Sequence, residues 1–503
     1  MLKSWSIENF KPIVNSGELK LAPVTVLAGR NSSGKSSLLQ SILMIAQTLS
    51  NPLPERALLP NGPLVQLGTF EDILSDFSNS RHMVLKFELS FDREDIGEDY
   101  IDLYRTSNYK VLIKFSGANY GNVSLSAIEA SKVLVDEVLL EFNFEFSGTD
   151  SYDTIGQNTL VVMKILEEDL KRYLEDVPPE LYPRLLPYIS ERPNYLGKFT
   201  LHSEDPSEQF LIPLSHFLPS DLVSKPRKDD ILFGYSGYRG EIEASNEQIT
   251  RFFSSQIRYL GPIRADLSTT RRTFALSSEL DDVGDKGEYA AVAYHYNRFA
   301  TIEWYNPYTQ QLTQGALQDA LDCWIRHLGV AEEVRTEESG SMGVAWKVVI
   351  KQGQKARTLP EVGVGVGQVL PVLVMGLLSP SNTLLLMEQP ELHLHPSVQA
   401  RLGDFFVGMS KCKKQFLIET HSENLVSQLR YHIVQAGGIE NSDCMIYFVD
   451  RDEKGEAKFE QVAISPQGNI LNWPDGFFDE TMLQEDRITA ASIKKRAAKA
   501  KNA

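Results

Sequence analysis

Hydrophobic and polar positions in the first fifty residues predict three short strands followed by a helix. Ser4–Phe10, Ser16–Leu21 and Val24–Ala28 have the pattern of strands, and the third is a β-branched apolar run typical of a buried strand. Beyond a glycine-rich segment, apolar side chains recur at helical spacing, at Leu38, Leu39, Ile42, Leu43 and Ile45. We therefore expect strand, loop and helix in that order, with the helix ending near Ser50.

Later changes in the pattern predict a two-part core that is interrupted by an insertion. The chain is β-rich from about 82 to 147, helical from about 158 to 190, and helical again near 246–255. Strand-like sequence returns at Ile257–Arg264. We place segment boundaries near residues 100, 255 and 450, so that 101–255 forms an α+β insertion between residues 1–100 and 256–450.

The second half of the core contains a predicted helix, a hairpin and two buried strands. The helix lies near Ala316–Leu328, and the hairpin joins Val334–Glu338 to Val344–Lys351. Thr383–Met387 is a short apolar strand that is followed by Glu388, and Phe416–Ser422 is a second buried strand that ends in a polar cluster. In a parallel sheet, such strand ends face the ligand crevice.

Composition limits the classes of partner. The 503-residue chain has a formal net charge of −17, whereas proteins that coat DNA usually present a basic surface. Three clusters of basic residues are expected to be solvated faces: Arg264 with Arg271 and Arg272, Lys411 with Lys413 and Lys414, and the tail from Lys494 to Lys501. No signal peptide, apolar run of about 18 residues or paired-cysteine motif is present, so we expect a cytoplasmic protein without membrane contact.

The glycine-rich segment Gly29–Ser36 matches the P-loop pattern G-x-x-x-x-G-K-[ST]. Its predicted position between a buried strand and a helix is the context in which backbone N–H groups cradle phosphates. Lys35 is expected to reach the β- and γ-phosphates, and the Ser36 hydroxyl is expected to bind Mg²⁺. The sequence therefore predicts an ATP site formed by Asn31, Ser32, Ser33, Gly34, Lys35, Ser36 and Ser37.

Three further features supply candidate chemistry around this site. Glu388 follows the strand Thr383–Met387, where a carboxylate would lie beside the metal. His421 ends the next buried strand and could contact the γ-phosphate or order the attacking water. Glu361–Gln368 is a glycine-rich turn before a predicted helix, Val369–Leu378, and could bind a second anionic group.

The order of these motifs resembles one family. The P-loop, the glycine-rich turn, Glu388–Pro396 and Thr420–Ser422 are similar to those of ATP-binding-cassette-type (ABC-type) AAA-family ATPases of the structural-maintenance-of-chromosomes (SMC), RecF and overcoming-lysogenization-defect kind. Three segments, Gly363–Leu370, Glu388–Pro396 and Gly468–Phe478, are similar to those of a stand-alone prokaryotic branch that lacks a TOPRIM nuclease domain and often lies in phage-defence operons. The resemblance implies an α/β ABC-type P-loop ATPase head with a β-rich N-terminal lobe, and a C-terminal extension with a basic tail at 451–503.

The resemblance also implies a mechanism in which two heads pack head to tail around ATP. Gly363, Gly365, Gly367 and Gln368 would then act on the γ-phosphate of the partner copy, although Gly367 stands where a serine is more common. Gln66 is a candidate for the loop that senses Mg²⁺ and water. Expected partners are a second copy or a larger homo-oligomer and a separate effector protein, with a nuclease as the expected kind.

Gln389 is the main departure from the family pattern. Related ATPases commonly place a glutamate there as general base, whereas an amide cannot accept a proton at neutral pH. Three interpretations stay open: slow hydrolysis with a long-lived ATP dimer, Glu391 or Glu388 as base, or assistance from His421. We favour slow hydrolysis, with turnover on the order of 1 s⁻¹ or below.

The leading hypothesis is thus a slow ATPase that acts as sensor and scaffold in antiviral defence. The alternatives are a repair or recombination clamp that acts directly on DNA, so nucleic acid stays a candidate partner, and an ATP-gated scaffold with negligible turnover. A metal site at His393 and His395 is not expected, because no further Cys or His lies nearby in sequence. Asp450-Arg451-Asp452 has too little chain around it for an intrinsic nuclease domain.

Overall fold

The computed structural model describes residues 1–51, 58–91, 247–265, 281–338, 343–474 and 476–478, together with strands at intervals between 108 and 224 and a few residues of 484–492. The helical prediction for 158–190 lies outside the described residues, except for Val161–Met163, which form a strand.

The strands, in chain order, are β1 (Leu2–Phe10), β2 (Ile13–Asn15), β3 (Leu19–Lys20), β4 (Val24–Gly29), β5 (His82–Ser90), β6 (Asn108–Tyr120), β7 (Val123–Val135), β8 (Val138–Asn143), β9 (Val161–Met163), β10 (Phe210–Leu211), β11 (Leu214–Ser215), β12 (Leu218–Pro219), β13 (Val223–Ser224), β14 (Ile257–Leu260), β15 (Thr301–Asn306), β16 (Gln311–Ala316), β17 (Glu333–Glu338), β18 (Val344–Val349), β19 (Arg357–Thr358), β20 (Leu384–Glu388), β21 (Gln415–Thr420), β22 (Cys444–Arg451) and β23 (Ala457–Gln461). The α-helices are α1 (Lys35–Leu49), α2 (Phe70–Ile73), α3 (residues 247–255), α4 (Ala290–Asn297), α5 (Leu317–Leu328), α6 (Val364–Leu378), α7 (Pro396–Ser410) and α8 (Glu423–Val434). Short 3₁₀ turns lie at Leu359–Glu361 and Asn441–Asp443.

A six-stranded sheet positions the P-loop. Its strand order is β14-β20-β21-β4-β22-β23, and every pair is parallel except β22 with β23. Side chains of β20 and β21 alternate between two hydrophobic cores: Leu386 and Leu417 enter one, while Met387 and Ile418 enter the other. Burial on both faces explains why these strands are continuous apolar runs, and it confirms that they are buried strands.

A second, antiparallel sheet forms the N-terminal lobe. Its eight strands have the order β2-β1-β5-β6-β7-β8-β9, with β3 also paired to β1. It shares a core with α1 and α3, to which Trp5, Phe87 and Phe253 contribute. The predicted mixed α/β fold with a β-rich N-terminal lobe is thereby confirmed. Pairing of β5 with β6 crosses residue 100, and the division into segments at 100, 255 and 450 stays a prediction.

Two predicted elements have different bounds in the structure. Ser16–Leu21 does not form one strand, because Gly17 adopts a left-handed φ of 66° between β2 and β3. The helix expected at Val369–Leu378 begins five residues earlier, so Gly365 and Gly367 lie inside its first turns. Burial of Val366 in the core outweighs the low helix propensity of the two glycines.

Lys414 corrects the expectation that the cluster at 411–414 is a solvated face. Its side chain is buried, and Nζ donates to the carbonyls of Gly376 at 2.7 Å and Leu377 at 2.9 Å. These carbonyls belong to the last turn of α6, where acceptors lack a partner within the helix. Burial lowers the pKa of Lys414 to about 8, so the ammonium group remains mostly charged at neutral pH and stabilises the helix end.

Asp404 lies on α7 and joins this helix to α5 and α8. Its carboxylate accepts hydrogen bonds from Nε2 of His327 on α5 and of His432 on α8, both at 2.7 Å, and from Gln428 at 2.6 Å. Burial by itself would raise the pKa of Asp404, but these three hydrogen bonds hold that pKa below its ordinary value. The ionised form of Asp404 therefore stabilises the fold.

We expect Asp404→Asn to lower the free energy of unfolding by about 2 kcal/mol at pH 7, because hydrogen bonds to a charged acceptor are lost. Since the folded-state pKa lies below the unfolded one, the stabilisation is complete above about pH 4 and disappears as the pH falls further. Urea unfolding of wild type and variant at pH 7 and below pH 4 measures both effects. Exposed Asp76→Asn serves as the control, and an equal loss in the control would contradict the assignment.

Candidate functional site

The P-loop connects β4 to α1 at the carboxyl edge of the six-stranded sheet. Gly29 has a φ of 143°, and a Cβ atom there would lie 2.1 Å from the Val449 carbonyl oxygen. Gly34 caps α1 with a φ of 116°, and its Cβ would lie 2.7 Å from the Ala457 Cβ. Only glycine fits either position, so both glycines of the motif are required by the neighbouring strands as well as by the loop.

Lys35 is folded back into the loop. Its Nζ donates to the carbonyls of Arg30 at 2.6 Å and Gly29 at 3.1 Å, and it lies 3.9 Å from Oε1 of Glu419. Burial lowers the pKa of Lys35, and the carboxylate of Glu419 opposes that change. The ammonium group is thus held on neutral and acidic oxygens that a triphosphate could replace.

Two carboxylates lie side by side next to Ser36. Glu388 is the last residue of β20, Glu419 is the penultimate residue of the neighbouring parallel strand β21, and the two are register partners. Ser36 Oγ donates to Oε2 of Glu419 at 2.7 Å, and Tyr259 donates to Oε1 of Glu388 at 2.7 Å. The structure therefore brings the predicted metal ligands Ser36 and Glu388 together and adds an acid that the sequence analysis did not assign.

Burial and mutual repulsion make it energetically unfavourable for both acids to be ionised in the absence of a cation. Burial, and then the charge of Glu419, raises the pKa of Glu388 to about 7. Burial also raises the pKa of Glu419, while the hydrogen bond from Ser36 and the charge of Lys35 act in the opposite direction. A divalent cation at this position would relieve both effects.

The segment after β20 ties the two strand ends together. Gln389 has a φ of 46°, and its N–H donates to the Glu419 carbonyl at 2.8 Å. Glu391 is buried, and its Oε1 accepts from the backbone N–H of His421 at 2.7 Å. Its other oxygen, Oε2, has no hydrogen-bond partner among the described residues.

His421 lies at the rim of the site. The residue is exposed, and the part of its ring that is withdrawn from water, together with the charge of Lys35, lowers its pKa. The Gly29 carbonyl opposes this change. A neutral imidazole close to the P-loop fits the predicted contact with the γ-phosphate or the attacking water.

Arg264 is the second residue that sequence reasoning misjudged. It was expected on a solvated face, yet only 9% of it is exposed, because the loop after β14 folds against β20. Its Nη2 donates to the Glu388 carbonyl oxygen at 3.4 Å, and Nε and Nη1 have no partner within the described part of the chain. Burial lowers its pKa to about 10, while Tyr259 and the acids of the site favour its charge. The sequence did contain one signal for this burial: Arg264 follows a strand that ends at the same sheet edge as the P-loop.

The glycine-rich segment lies at the start of α6. Gly363 is the N-cap, and a Cβ on Gly365 would lie 3.3 Å from the His393 carbonyl oxygen. No hydrogen bond or ion pair among the described residues joins Gly363, Gly365, Gly367 or Gln368 to the P-loop. Val364, between the first two glycines, is 66% exposed.

Gln66 is not brought to the metal position. The loop that contains it is held by Gln47, whose Oε1 accepts from the N–H groups of Leu64 and Val65. Gln47 lies 12 residues along α1 from Lys35, about 18 Å at 1.5 Å per residue. Gln66 itself is exposed, so its predicted contact with Mg²⁺ does not occur in this conformation.

The fold and the site define a P-loop protein of the α/β class. Residues 336–427 match the family described as "AAA domain, putative AbiEii toxin, Type IV TA system". Residues 439–487 match the family described as "Protein of unknown function (DUF3696)". The first match contains Glu388, Gln389, Glu391 and His421, so this part of the chain is similar to an AAA ATPase domain. No curated protein matches the chain.

Three solved SMC head domains are similar over most of the chain. The SMC head bound to the C-winged helix domain of ScpA is 11% identical, with a TM-score of 0.46, and covers 92% of this chain and 98% of its own. The head from Thermotoga maritima is 9% identical, with a TM-score of 0.39, and the match covers 92% of this chain and 99% of that head. The third is a head with an extended coiled coil bound to the C-terminal domain of ScpA, derived from Pyrococcus furiosus. It is 11% identical, with a TM-score of 0.40, and the match covers 92% of this chain and 96% of that head.

Within the described residues, none of the helices combines the length and the apolar composition that crossing a membrane requires.

Proposed function

We propose that this chain is an ABC-type ATPase that binds ATP with Mg²⁺, hydrolyses it slowly, and acts as a nucleotide-gated sensor and scaffold for a separate effector. The observation that carries the proposal is the convergence of a P-loop with a strand-end carboxylate. Ser36 lies in the first turn of α1, and Glu388 ends β20, a parallel strand of the same sheet that is separated from β4 by β21. That arrangement is typical of P-loop nucleoside triphosphatases.

The residues of the site fit a magnesium–triphosphate complex. The ligand set is a hydroxyl and a carboxylate, the hard oxygen donors that Mg²⁺ prefers together with phosphate oxygens. Ser36 and Glu388 would hold the ion, which when bound neutralises charge on the phosphates. Lys35 would leave the carbonyls of Gly29 and Arg30 for the phosphates, and backbone N–H groups of the loop would complete the cradle.

Slow hydrolysis follows from the side chains around the position of the attacking water. Gln389 can orient water but cannot accept its proton. Glu391 uses one oxygen to hold the His421 backbone, which favours a positioning role over that of a general base. His421 can contribute only as the neutral ring at the rim. These features suit a switch with a long-lived ATP state.

The start of α6 supports the sharing of ATP between two copies. Gly363 and Val364 are exposed at a helix N-terminus, and no described contact joins them to the P-loop of the same chain. We propose that this segment completes the site of a second copy packed head to tail. The toxin–antitoxin description of the matched AAA family supports a role in defence, with a nuclease as the expected effector.

The head-to-tail arrangement is tested by mixing two inactive variants. Lys35→Ala removes the P-loop contact and Gln368→Ala the trans contact, and each alone is expected to lose ATP-dependent assembly and turnover. A mixture restores one intact site per dimer only if the two motifs belong to different copies. Recovered turnover in the mixture, with a dimer mass in ATP–Mg²⁺, supports the proposal, whereas two variants that fail to complement contradict the shared site.

A DNA-driven clamp gives a different result in the same assay. Its turnover would rise severalfold with duplex DNA, and its DNA affinity would fall steeply with salt. Turnover that is indifferent to DNA, with assembly that follows ATP, favours the switch.

A further inference from the structure

Glu419 is a buried carboxylate that faces the P-loop from β21. It lies 383 positions from Ser36 in the chain and is 3% exposed. Its neighbour in the sheet is Glu388, the acid that the P-loop motif requires. The proposed function gives Glu419 no task, although it makes the closest side-chain contact to Ser36 in the site.

Both oxygens of Glu419 are directed at the residues that should receive magnesium and phosphate. Oε2 accepts from the Ser36 hydroxyl at 2.7 Å, and Oε1 lies 3.9 Å from the Lys35 ammonium group. The carboxylate thus contacts the hydroxyl and the ammonium group that a Mg²⁺–triphosphate complex would also need.

The charge at this edge requires compensation once nucleotide enters. Glu388 and Glu419 lie on adjacent strands, and Glu391 is buried close by with an unpartnered oxygen. A triphosphate adds further negative charge, while Lys35 and Arg264 are the buried cations of the described site. In nucleotide sites, this excess of negative charge is usually compensated by Mg²⁺ bound to one or two carboxylates and to phosphate oxygens.

We propose that Glu419 exchanges partners on nucleotide binding: without nucleotide it holds Ser36 and Lys35, and with nucleotide it becomes the second carboxylate of the Mg²⁺ site, bound directly or through a water molecule. The proposal rests on the proposed function and deepens it. It makes the affinity for ATP depend strongly on Mg²⁺, because without the ion Glu419 competes with the phosphates for Ser36 and Lys35.

The test compares nucleotide affinity with and without the ion. A fluorescent ATP analogue is titrated into the full-length protein in Mg²⁺ and in EDTA. The measured quantity is the dissociation constant in EDTA divided by the dissociation constant in Mg²⁺, which is large when binding depends strongly on the ion. Glu419→Gln keeps an oxygen that can accept from Ser36, so we expect it to fold. Its ratio should fall by about 10- to 100-fold, as for the loss of a group that supports a metal, and its affinity in EDTA should be equal to or tighter than that of wild type.

Two further variants make the result specific. Glu423→Gln removes an exposed carboxylate four residues away and should leave the ratio unchanged. Glu419→Asp keeps the charge but shortens the side chain, so its ratio should fall between those of wild type and Glu419→Gln. Thermal unfolding of each variant accompanies the titrations, and the Asp variant decides the question if the Gln variant does not fold.

The outcomes separate this proposal from the proposed function. If wild type binds the analogue with a strong dependence on Mg²⁺ and Glu419→Gln and Glu419→Asp keep that dependence, the role of Glu419 is wrong and the nucleotide site stands. If wild type does not bind the analogue in either buffer, the proposed function itself fails.

Discussion

Replacing Lys35 by alanine is expected to weaken ATP binding about 100-fold and to abolish ATP-dependent assembly. The ammonium group would lose its hydrogen bonds to the β- and γ-phosphates, and a hydrogen bond to a charged group contributes about 1.5–3 kcal/mol, where each 1.4 kcal/mol is tenfold in affinity. Calorimetric titration with a non-hydrolysable ATP analogue measures the affinity, and light scattering measures the mass with and without ATP–Mg²⁺.

The same substitution should leave the fold intact. Lys35 is bonded to loop carbonyls that become available to water, and the bond from Ser36 to Glu419 does not involve it. We therefore expect the midpoint of thermal unfolding to change by only a few degrees. Exposed Lys3→Ala is the matched control and should bind ATP as wild type does. Unchanged affinity in Lys35→Ala would show that the P-loop is not the nucleotide site.

Replacing Gln389 by glutamate is expected to raise ATP turnover about 100-fold. A positioned general base contributes about 10²–10⁴ to a rate, and the substitution adds a proton acceptor directly after the metal-binding Glu388. The left-handed backbone of Gln389, with its N–H bonded to the Glu419 carbonyl, fixes the direction of this side chain whichever residue is present. Steady-state phosphate release measures the rate, and the lifetime of the ATP-assembled state should shorten in parallel.

A different outcome would assign the base elsewhere. If Gln389→Glu has the wild-type rate and Glu391→Gln abolishes turnover, Glu391 is the base through its unpartnered Oε2. Exposed Gln352→Glu controls for the added negative charge and should not change the rate. A wild-type turnover of tens per second would also contradict the slow-switch interpretation.

Most of the nucleotide site could be predicted because its parts are local in sequence. Gly29, Gly34, Lys35 and Ser36 lie within one loop, and their spacing determines where the backbone N–H groups and side chains point. The structure confirms that Glu388 ends a buried strand at the same sheet edge. Roles in trans for the glycines of α6, and in catalysis for Gln389, Glu391 and His421, stay predictions.

The errors come from residues whose neighbours are distant in sequence. Arg264 and Lys414 look like solvated cations beside other basic residues, yet both are buried. The loop that carries Arg264 folds against the end of β20, and the end of α6 packs onto Lys414. Gln66 has a plausible motif around it, but Gln47 holds its loop near the far end of α1. Sequence patterns describe one element at a time and do not state which elements become neighbours.

The sequence by itself determined the P-loop, the α/β class and the acidic end of β20, since these depend on spacing and periodicity within single elements. Only the tertiary structure decided that Glu419 faces Ser36, that Arg264 lies buried against Glu388, and that Lys414 caps α6. The physical reason is the strand order β14-β20-β21-β4, which brings residues more than 100 positions apart to one edge of the sheet. Burial there lowers the pKa of Lys35 and Arg264 and raises the pKa of Glu388, Glu391 and Glu419.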